Sequence, residues 1–355
     1  MPSYLNKQEE KTMKQLGYVY PKMGIRMQEL QEPEIKSPTE VKIRIAYCAI
    51  CGSDIHITNG AFDYMLEGMP EGMIMPLGHE ASGIVVETGE GCTTVKTGDR
   101  VTYNNNRPCG KCYYCRNRME NLCRSQTSVL GGMGEYVVVE EDQIYHLPDD
   151  VSLREGCLTE PVSIAMRAIQ KADIRPGQSV AVIGGGPIGM LVLQLAKHAG
   201  AYPLVLLDVV PEKLGMACKL GADHSFDSSA EDVQELARAV NEGRGYDTVI
   251  ECSGARPGLD TGYKLAGVGG TLVIASVYKG GTFYEIDMNT IYNRELTIKS
   301  AVLSPGLFDR SVRVLHRIDF ENTVTGIYPL EKYEEAFEAH RSGKHIKILL
   351  EMKGD

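Results

Sequence analysis

Two groups of metal-ligating side chains stand out in this chain of 355 residues. The first is compact and complete. Cys109, Cys112, Cys115 and Cys123 follow the spacing C-x2-C-x2-C-x7-C, which lets a short looped lobe wrap four thiolates around one zinc ion. The second is dispersed: Cys51 behind the alternating run VKIRIAY, His79 and Glu80 in PLGHEASG, and Glu160 in LTEPVSIA. Zinc held by four thiolates is closed and structural, whereas zinc on three protein ligands keeps a position open for water or substrate. Taken singly, a cysteine after a strand is more often core than ligand. Together, one thiolate, one imidazole and a carboxylate suit a zinc ion that remains a Lewis acid, so chemistry is expected there.

A third motif concerns phosphate. Gly184, Gly186 and Gly189 in GGGPIG form G-x-G-x-x-G directly after SVAVIG and open a helix. Asp208 ends the next strand-like run, YPLVLLD, 24 residues beyond Gly184, near the roughly 20 expected of an acid that bonds an adenosine ribose. The glycines permit a tight turn and close approach of backbone to pyrophosphate, and the helix N-terminus adds positive potential. An acid at Asp208 would repel a 2′-phosphate, which favours NAD over NADP.

The elements that must carry these residues differ between the two halves. Before about residue 160, short alternating runs such as VKIRIAY, ASGIVVETG and GEYVVVEED read as half-buried strands with glycine-rich turns. From about Gln178, apolar runs (SVAVIGG, YPLVLLD, YDTVIEC, GGTLVIAS) alternate with helical stretches, which predicts a doubly wound parallel α/β sheet with helices on both faces. After about Ala301 the rhythm stops. The tail offers one helix over 330–343 and one strand over 345–352, expected to return to the first domain.

The length suggests two domains. A net charge of -10 and the lack of any lysine or arginine stripe argue against nucleic acid. With no apolar run of membrane length and a polar start, a cytoplasmic protein without membrane contact is expected. Four of ten cysteines cluster within 15 residues, which favours metal over disulfides. Cys48, Cys92, Cys157, Cys218 and Cys252 are expected to be buried small hydrophobes.

The motifs CGSDIH, GHEASG, GDRV, CGKCYYC with NLC, LTEPVSIA and GGGPIG, in this order, resemble the zinc-dependent medium-chain alcohol dehydrogenases, within them the sorbitol, threonine and butanediol dehydrogenase branch. The resemblance runs from about Lys14 to Met352. It implies a chaperonin-10-like (GroES-like) catalytic domain interrupted by a Rossmann domain: a short extension over 1–12, the catalytic domain over 13–161 and 302–355, and the NAD-binding domain over 162–301. It implies catalytic zinc on Cys51 and His79 with Glu80 or Glu160 completing the set, and structural zinc on the four-cysteine lobe. Ser53 and His56 match the family's proton relay, with Asp54 behind His79 and Lys347 balancing that acid. On the cofactor side the pattern maps Ile188 to the phosphate turn, Lys213 to the adenosine ribose, and Ala275, Ser276 and Val277 to the nicotinamide. The implied activity is hydride transfer between NAD and a secondary alcohol or ketone of a polyol, sugar derivative or diol, in a homo-oligomer. Threonine-type oxidation of an amino alcohol is the alternative, and a non-catalytic or quinone-reductase-like relative is a more distant one.

The chain departs from that pattern at two places. Arg118 stands where the cysteine lobe usually has glycine, a strain of about 1 kcal/mol if the site needs positive φ. In AVLSPGLFD, Leu303 and Ser304 replace the arginine and tyrosine that sorbitol dehydrogenases use for substrate hydroxyls, which argues against sorbitol itself. Met65, Met69, Met73 and Met75 form a candidate adaptable wall over a pocket, with ordinary packing as the competing reading.

Overall fold

The computed structural model describes residues 11–353 except Phe62, Tyr64 and Met65. Residues 1–10 of the expected extension and Met65 of the candidate wall therefore lie outside the described residues. The first described strand, Thr12–Val19, pairs antiparallel with Ile25–Gln31 and with Ile74–Pro76.

Glu40–Ala49 is the centre of the mainly β part. Its alternation buries Val41, Ile43 and Ile45 on one face, and it pairs antiparallel with Glu80–Thr88, Tyr136–Glu140 and Lys347–Glu351. The expected return of the tail is thus realised as a strand added directly to the first domain, with Leu349 opposite Ala49. Two tail elements escape the sequence reading. Helix Phe308–Val314 is short, and strand Val324–Pro329, parallel to Lys347–Glu351, is only half-buried and interrupted by Gly326, so neither carries a clear period.

The second sheet is entirely parallel, in the order His224–Asp227, Leu204–Asp208, Val180–Ile183, Tyr246–Glu251, Ala266–Ile274 and Thr297–Ser300. Val180–Ile183 is fully buried, as its run of β-branched and apolar residues predicts for a central parallel strand. It pairs on one side with the next strand in sequence and on the other with a later one. The strand order therefore reverses there, opening a crevice at the carboxyl ends of the strands, where such sheets bind ligands.

Helix Thr159–Ala172 joins the two sheets. Val162, Ala165 and Ala168 share one core with Ala49 and Leu349 of the first sheet and with Val182 and Leu206 of the second. The first turn of this helix carries Glu160, so the element that bridges the sheets also delivers a carboxylate. Among the described residues no helix is long and apolar enough to cross a membrane. The scattered cysteines divide: Cys48 and Cys157 are buried as expected, Cys92 and Cys252 only partly, and Cys218 is exposed. Met69 is also exposed, whereas Met75 packs against the first core, so the methionines form no continuous wall among the described residues.

Helix Pro187–His198 sits so close to the turn before it that a Cβ on Gly189 would lie 1.8 Å from the carbonyl oxygen of Gly184. Gly189→Ala should therefore lower stability by about 1–3 kcal/mol, the usual cost of overpacking against backbone. The midpoint of urea unfolding measures it, and an unchanged midpoint would mean that the helix can shift freely.

Candidate active site and metal centres

The dispersed ligands are assembled by the start of a short helix, Gly52–Thr58. Cys51 is its N-cap, in extended conformation, and Asp54 in the first turn reaches back so that its Oδ2 accepts the Cys51 N–H at 2.9 Å. The other oxygen of Asp54 accepts the Gly78 N–H at 3.4 Å and lies 3.8 Å from Nδ1 of His79. Asp54 is completely buried. Burial raises its pKa, while the His79 charge and the Cys51 N–H oppose that rise. One carboxylate thus holds the thiol-bearing turn by a hydrogen bond and faces the imidazole at ion-pair distance, where an acid behind a metal-bound histidine is expected.

Cys51, His79 and Glu80 offer ligand atoms that all lie within 4.8 Å of one another, an arrangement able to hold a metal ion. Glu160 is outside this group but close enough for its charge to act on His79. Burial lowers the His79 pKa, and the Cys51 hydrogen bond and charge, with Asp54 and Glu160, outweigh it, so the imidazole is held well above its ordinary range. Burial raises the Glu160 carboxyl to about 7, with His79 opposing and Glu80 adding.

Lys347 differs from expectation. It forms an ion pair with Glu80 rather than with Asp54, and donates to the carbonyl of Ile50 at 3.0 Å. Both members of the pair are only 2% exposed at their side chains. Burial lowers the lysine pKa, but the charges of Glu80 and Cys51 more than restore it. Three buried acids, Asp54, Glu80 and Glu160, thus face one buried lysine. That excess of negative charge, beside a thiol and an imidazole, fits a divalent cation.

Ser53 and His56 lie on the same short helix. The Ser53 hydroxyl is buried and has no protein partner among the described residues, leaving it available to a ligand. His56 is exposed at the helix end, open to solvent.

The lobe cysteines converge as their spacing predicts. Sγ of Cys115 is 3.5 Å from that of Cys112 and 4.0 Å from that of Cys109, and Cys112 and Cys123 are 3.8 Å apart. The N–H groups of Lys111 and Cys112 pull the Cys109 thiol down to about 6, whereas burial and the neighbouring thiols push Cys115 up to about 12. Four thiols this close favour a cation that lets all of them ionise. Arg118 has φ +58°, so the position does require the left-handed region. Leu303 has φ +51°, and its neighbour Ser304 accepts the Ser163 hydroxyl at 2.7 Å. Both line a hollow of about 360 Å³ between the lobe and the 303–306 segment, together with Asn104, Gln126 and Tyr145.

On the crevice side, Gly184 adopts φ +97°, and a Cβ there would lie 2.8 Å from the Ser253 nitrogen. Gly186, the N-cap of the following helix, faces open space, so backbone there can be approached closely. Ile188 packs on the core behind the turn. Asp208 accepts N–H groups from Gly185 at 2.5 Å and Val210 at 2.8 Å, and Lys213 stands beside Gly185. The Ala275 N–H donates to the Glu251 carbonyl, the Ser276 hydroxyl to the Glu251 carboxylate, and Val277 is exposed. This cradle, with glycine where side chains would intrude, fits a dinucleotide. The sequence reading does not single out Glu251, because an acid at a strand end normally faces water.

Residues 37–149 match the family model of the alcohol dehydrogenase GroES-like domain, and residues 187–317 that of the zinc-binding dehydrogenases. Among curated proteins, D-xylulose reductase A of Aspergillus niger is 32% identical over 331 residues, covering 90% of this chain and 91% of the relative. Among solved structures, 2R,3R-butanediol dehydrogenase of Bacillus subtilis is similar at a TM-score of 0.84 and 30% identity, covering 96% of this chain and 99% of that one. A Sinorhizobium meliloti protein solved with NADP bound is similar at a TM-score of 0.89 and 29% identity, with coverage of 96% and 99%.

Two stability outcomes follow. Lys347→Met, which strands Glu80, should cost about 3–5 kcal/mol, and Glu80→Gln added to it should recover much of that loss; additive losses in urea unfolding would contradict the pairing. Arg118→Gly should gain about 1 kcal/mol by relieving the positive φ, read as a raised Tm with lobe metal retained.

Proposed function

The chain belongs to the zinc-binding alcohol dehydrogenases, and on that premise we propose that it is a dehydrogenase transferring hydride between NAD and a secondary hydroxyl of a polyol, sugar derivative or diol. The single observation that carries the reading is the cluster of Cys51, His79 and Glu80 within 4.8 Å. When bound, zinc would polarise the substrate hydroxyl and lower its pKa, and the nicotinamide would accept the hydride.

The residues of the chain divide the remaining work. Cys51 and His79 hold the catalytic zinc, with Glu80 or Glu160 as third ligand, and Asp54 keeps both of the first two oriented. Ser53, whose buried hydroxyl lacks a protein partner among the described residues, takes the proton from the substrate, and the exposed His56 passes it to solvent. The four lobe cysteines hold a structural zinc. Gly184, Gly186, Ile188 and Gly189 cradle the pyrophosphate, Asp208 and Lys213 meet the adenosine ribose, and Ala275, Ser276 and Val277 border the nicotinamide. The Asp208 carboxylate supports NAD over NADP, because a 2′-phosphate would face its charge. Leu303 and Ser304 stand where sorbitol dehydrogenases carry the arginine and tyrosine that meet substrate hydroxyls, which supports a substrate other than sorbitol. A homo-oligomer is proposed as well, supported by the exposed Phe283, Met288 and Tyr292 in and before helix Met288–Arg294, which leads into the edge strand Thr297–Ser300.

A screen of pentitols, hexitols, inositols, diols, sugars and threonine, followed by NADH absorbance, should find turnover with polyols or diols and stronger activity with NAD than with NADP. Cys51→Ser should reduce activity to background and lower metal content from about two zinc ions per chain to about one, the closed four-thiolate site being retained. Full activity in that variant, or turnover of threonine alone, would overturn the reading.

A further inference from the structure

The cofactor crevice holds a carboxylate for which the roles above have no use. Glu251 ends strand Tyr246–Glu251 beside the point where the strand order reverses, and it is completely buried. Its Oε1 accepts the N–H groups of Ser253 at 2.7 Å and Gly254 at 3.2 Å, and also the Ser253 hydroxyl. Its Oε2 accepts the Ser276 hydroxyl and, at 2.7 Å, the Tyr278 hydroxyl. Five donors therefore converge on one carboxylate, and among the described residues no lysine, arginine or histidine forms an ion pair with it. Buried acids are ordinarily retained by a cation. Here neutral donors satisfy the oxygens and leave the charge uncompensated.

The donors come from both walls of the crevice. Ser253 abuts the phosphate turn, since a Cβ on Gly184 would meet the Ser253 nitrogen at 2.8 Å. Ser276 and Tyr278 belong to the segment after strand Ala266–Ile274. Glu251 is thus the knot between the turn proposed to hold pyrophosphate and the segment proposed to border the nicotinamide.

We propose that Glu251 is a positioning residue of the cofactor site that also discriminates oxidation state: its carboxylate ties Ser276 and Tyr278 to the crevice wall, and its uncompensated charge favours the oxidised nicotinamide, whose ring is cationic, over the neutral reduced ring. The inference rests on the dehydrogenase reading, which places Ser276 along the nicotinamide. A charge in a partly dry crevice acts more strongly than in water, and it shifts an equilibrium only through its differential interaction with the two forms. Arrival of hydride removes the positive charge of the ring, so this attraction is lost when the product cofactor must leave.

The test is equilibrium titration of the full-length zinc-loaded protein with NAD and with NADH, by calorimetry and nicotinamide fluorescence. Glu251→Gln preserves side-chain size and one acceptor oxygen but removes the charge. It should weaken NAD binding by about tenfold and NADH binding by about threefold or less. Equal losses, or unchanged NAD affinity, would overturn the proposal. Tyr278→Phe, which retains the charge, keeps the question open to test if the first variant does not fold. It should weaken both forms by a similar factor of about three to ten and leave their ratio at the unmodified value; wild-type affinity for both forms, or an altered ratio, refutes the positioning role. Unmodified protein that binds neither form would instead remove the dehydrogenase reading, and this inference with it.

Discussion

The ion pair between Lys347 and Glu80 is the contact on which the rest of the site is built. Lys347 comes from the last strand, Glu80 from the start of the strand after PLGH, and the same ammonium donates to the carbonyl of Ile50, immediately before Cys51. Three distant stretches of chain are thereby fixed around one buried charge. Removing two ions from water is costly and is offset only by close geometry and full hydrogen bonding, so the pair is a specificity device rather than a source of net stability. It holds Glu80 near Cys51 and His79, while Asp54 accepts the Cys51 N–H and faces the His79 ring at 3.8 Å.

This arrangement also explains why the site carries more acid than ligation requires. Asp54, Glu80 and Glu160 are all buried, and Lys347 pairs with only one of them, Glu80. The proposed divalent cation on Cys51 and His79 would use this surplus of acid. Glu160 lies outside the tight group, yet its charge acts on His79. The crevice side contrasts with this: Glu251 is satisfied by five neutral donors.

What was legible in the sequence followed from how local each constraint is. The cysteine lobe could be read from spacing because its ligands sit within 15 residues, and the parallel sheet could be read because fully buried strands leave long apolar runs. The positive φ at Arg118 was foreseeable as a glycine position occupied by arginine. Cys51, His79, Glu80 and Glu160 are grouped by ligand type alone, since nothing in their spacing brings them together, and the family resemblance then assigns them to one zinc. Lys347 acts on Asp54 through its charge but pairs directly with Glu80, and only the register of Lys347–Glu351 on Glu40–Ala49 decides which acid it touches. Glu251 remained hidden because its partners lie up to 27 residues away, on another strand's extension. Strand Val324–Pro329 escaped because an edge position removes the alternation that marks a strand.

The chain order of the buried pair has a consequence for biosynthesis. Glu80, Cys51 and His79 leave the ribosome early, followed by the whole parallel-sheet unit, and Lys347 emerges only in the last few residues of the described chain. Domains generally fold as units during synthesis, so the parallel sheet can be complete while the earlier β-sheet still lacks the strand that supplies its lysine. A nascent chain can thus own a finished parallel sheet while Cys51, His79 and Glu80 are still unfixed, and translation that stops before Lys347 leaves Glu80 without its counter-charge.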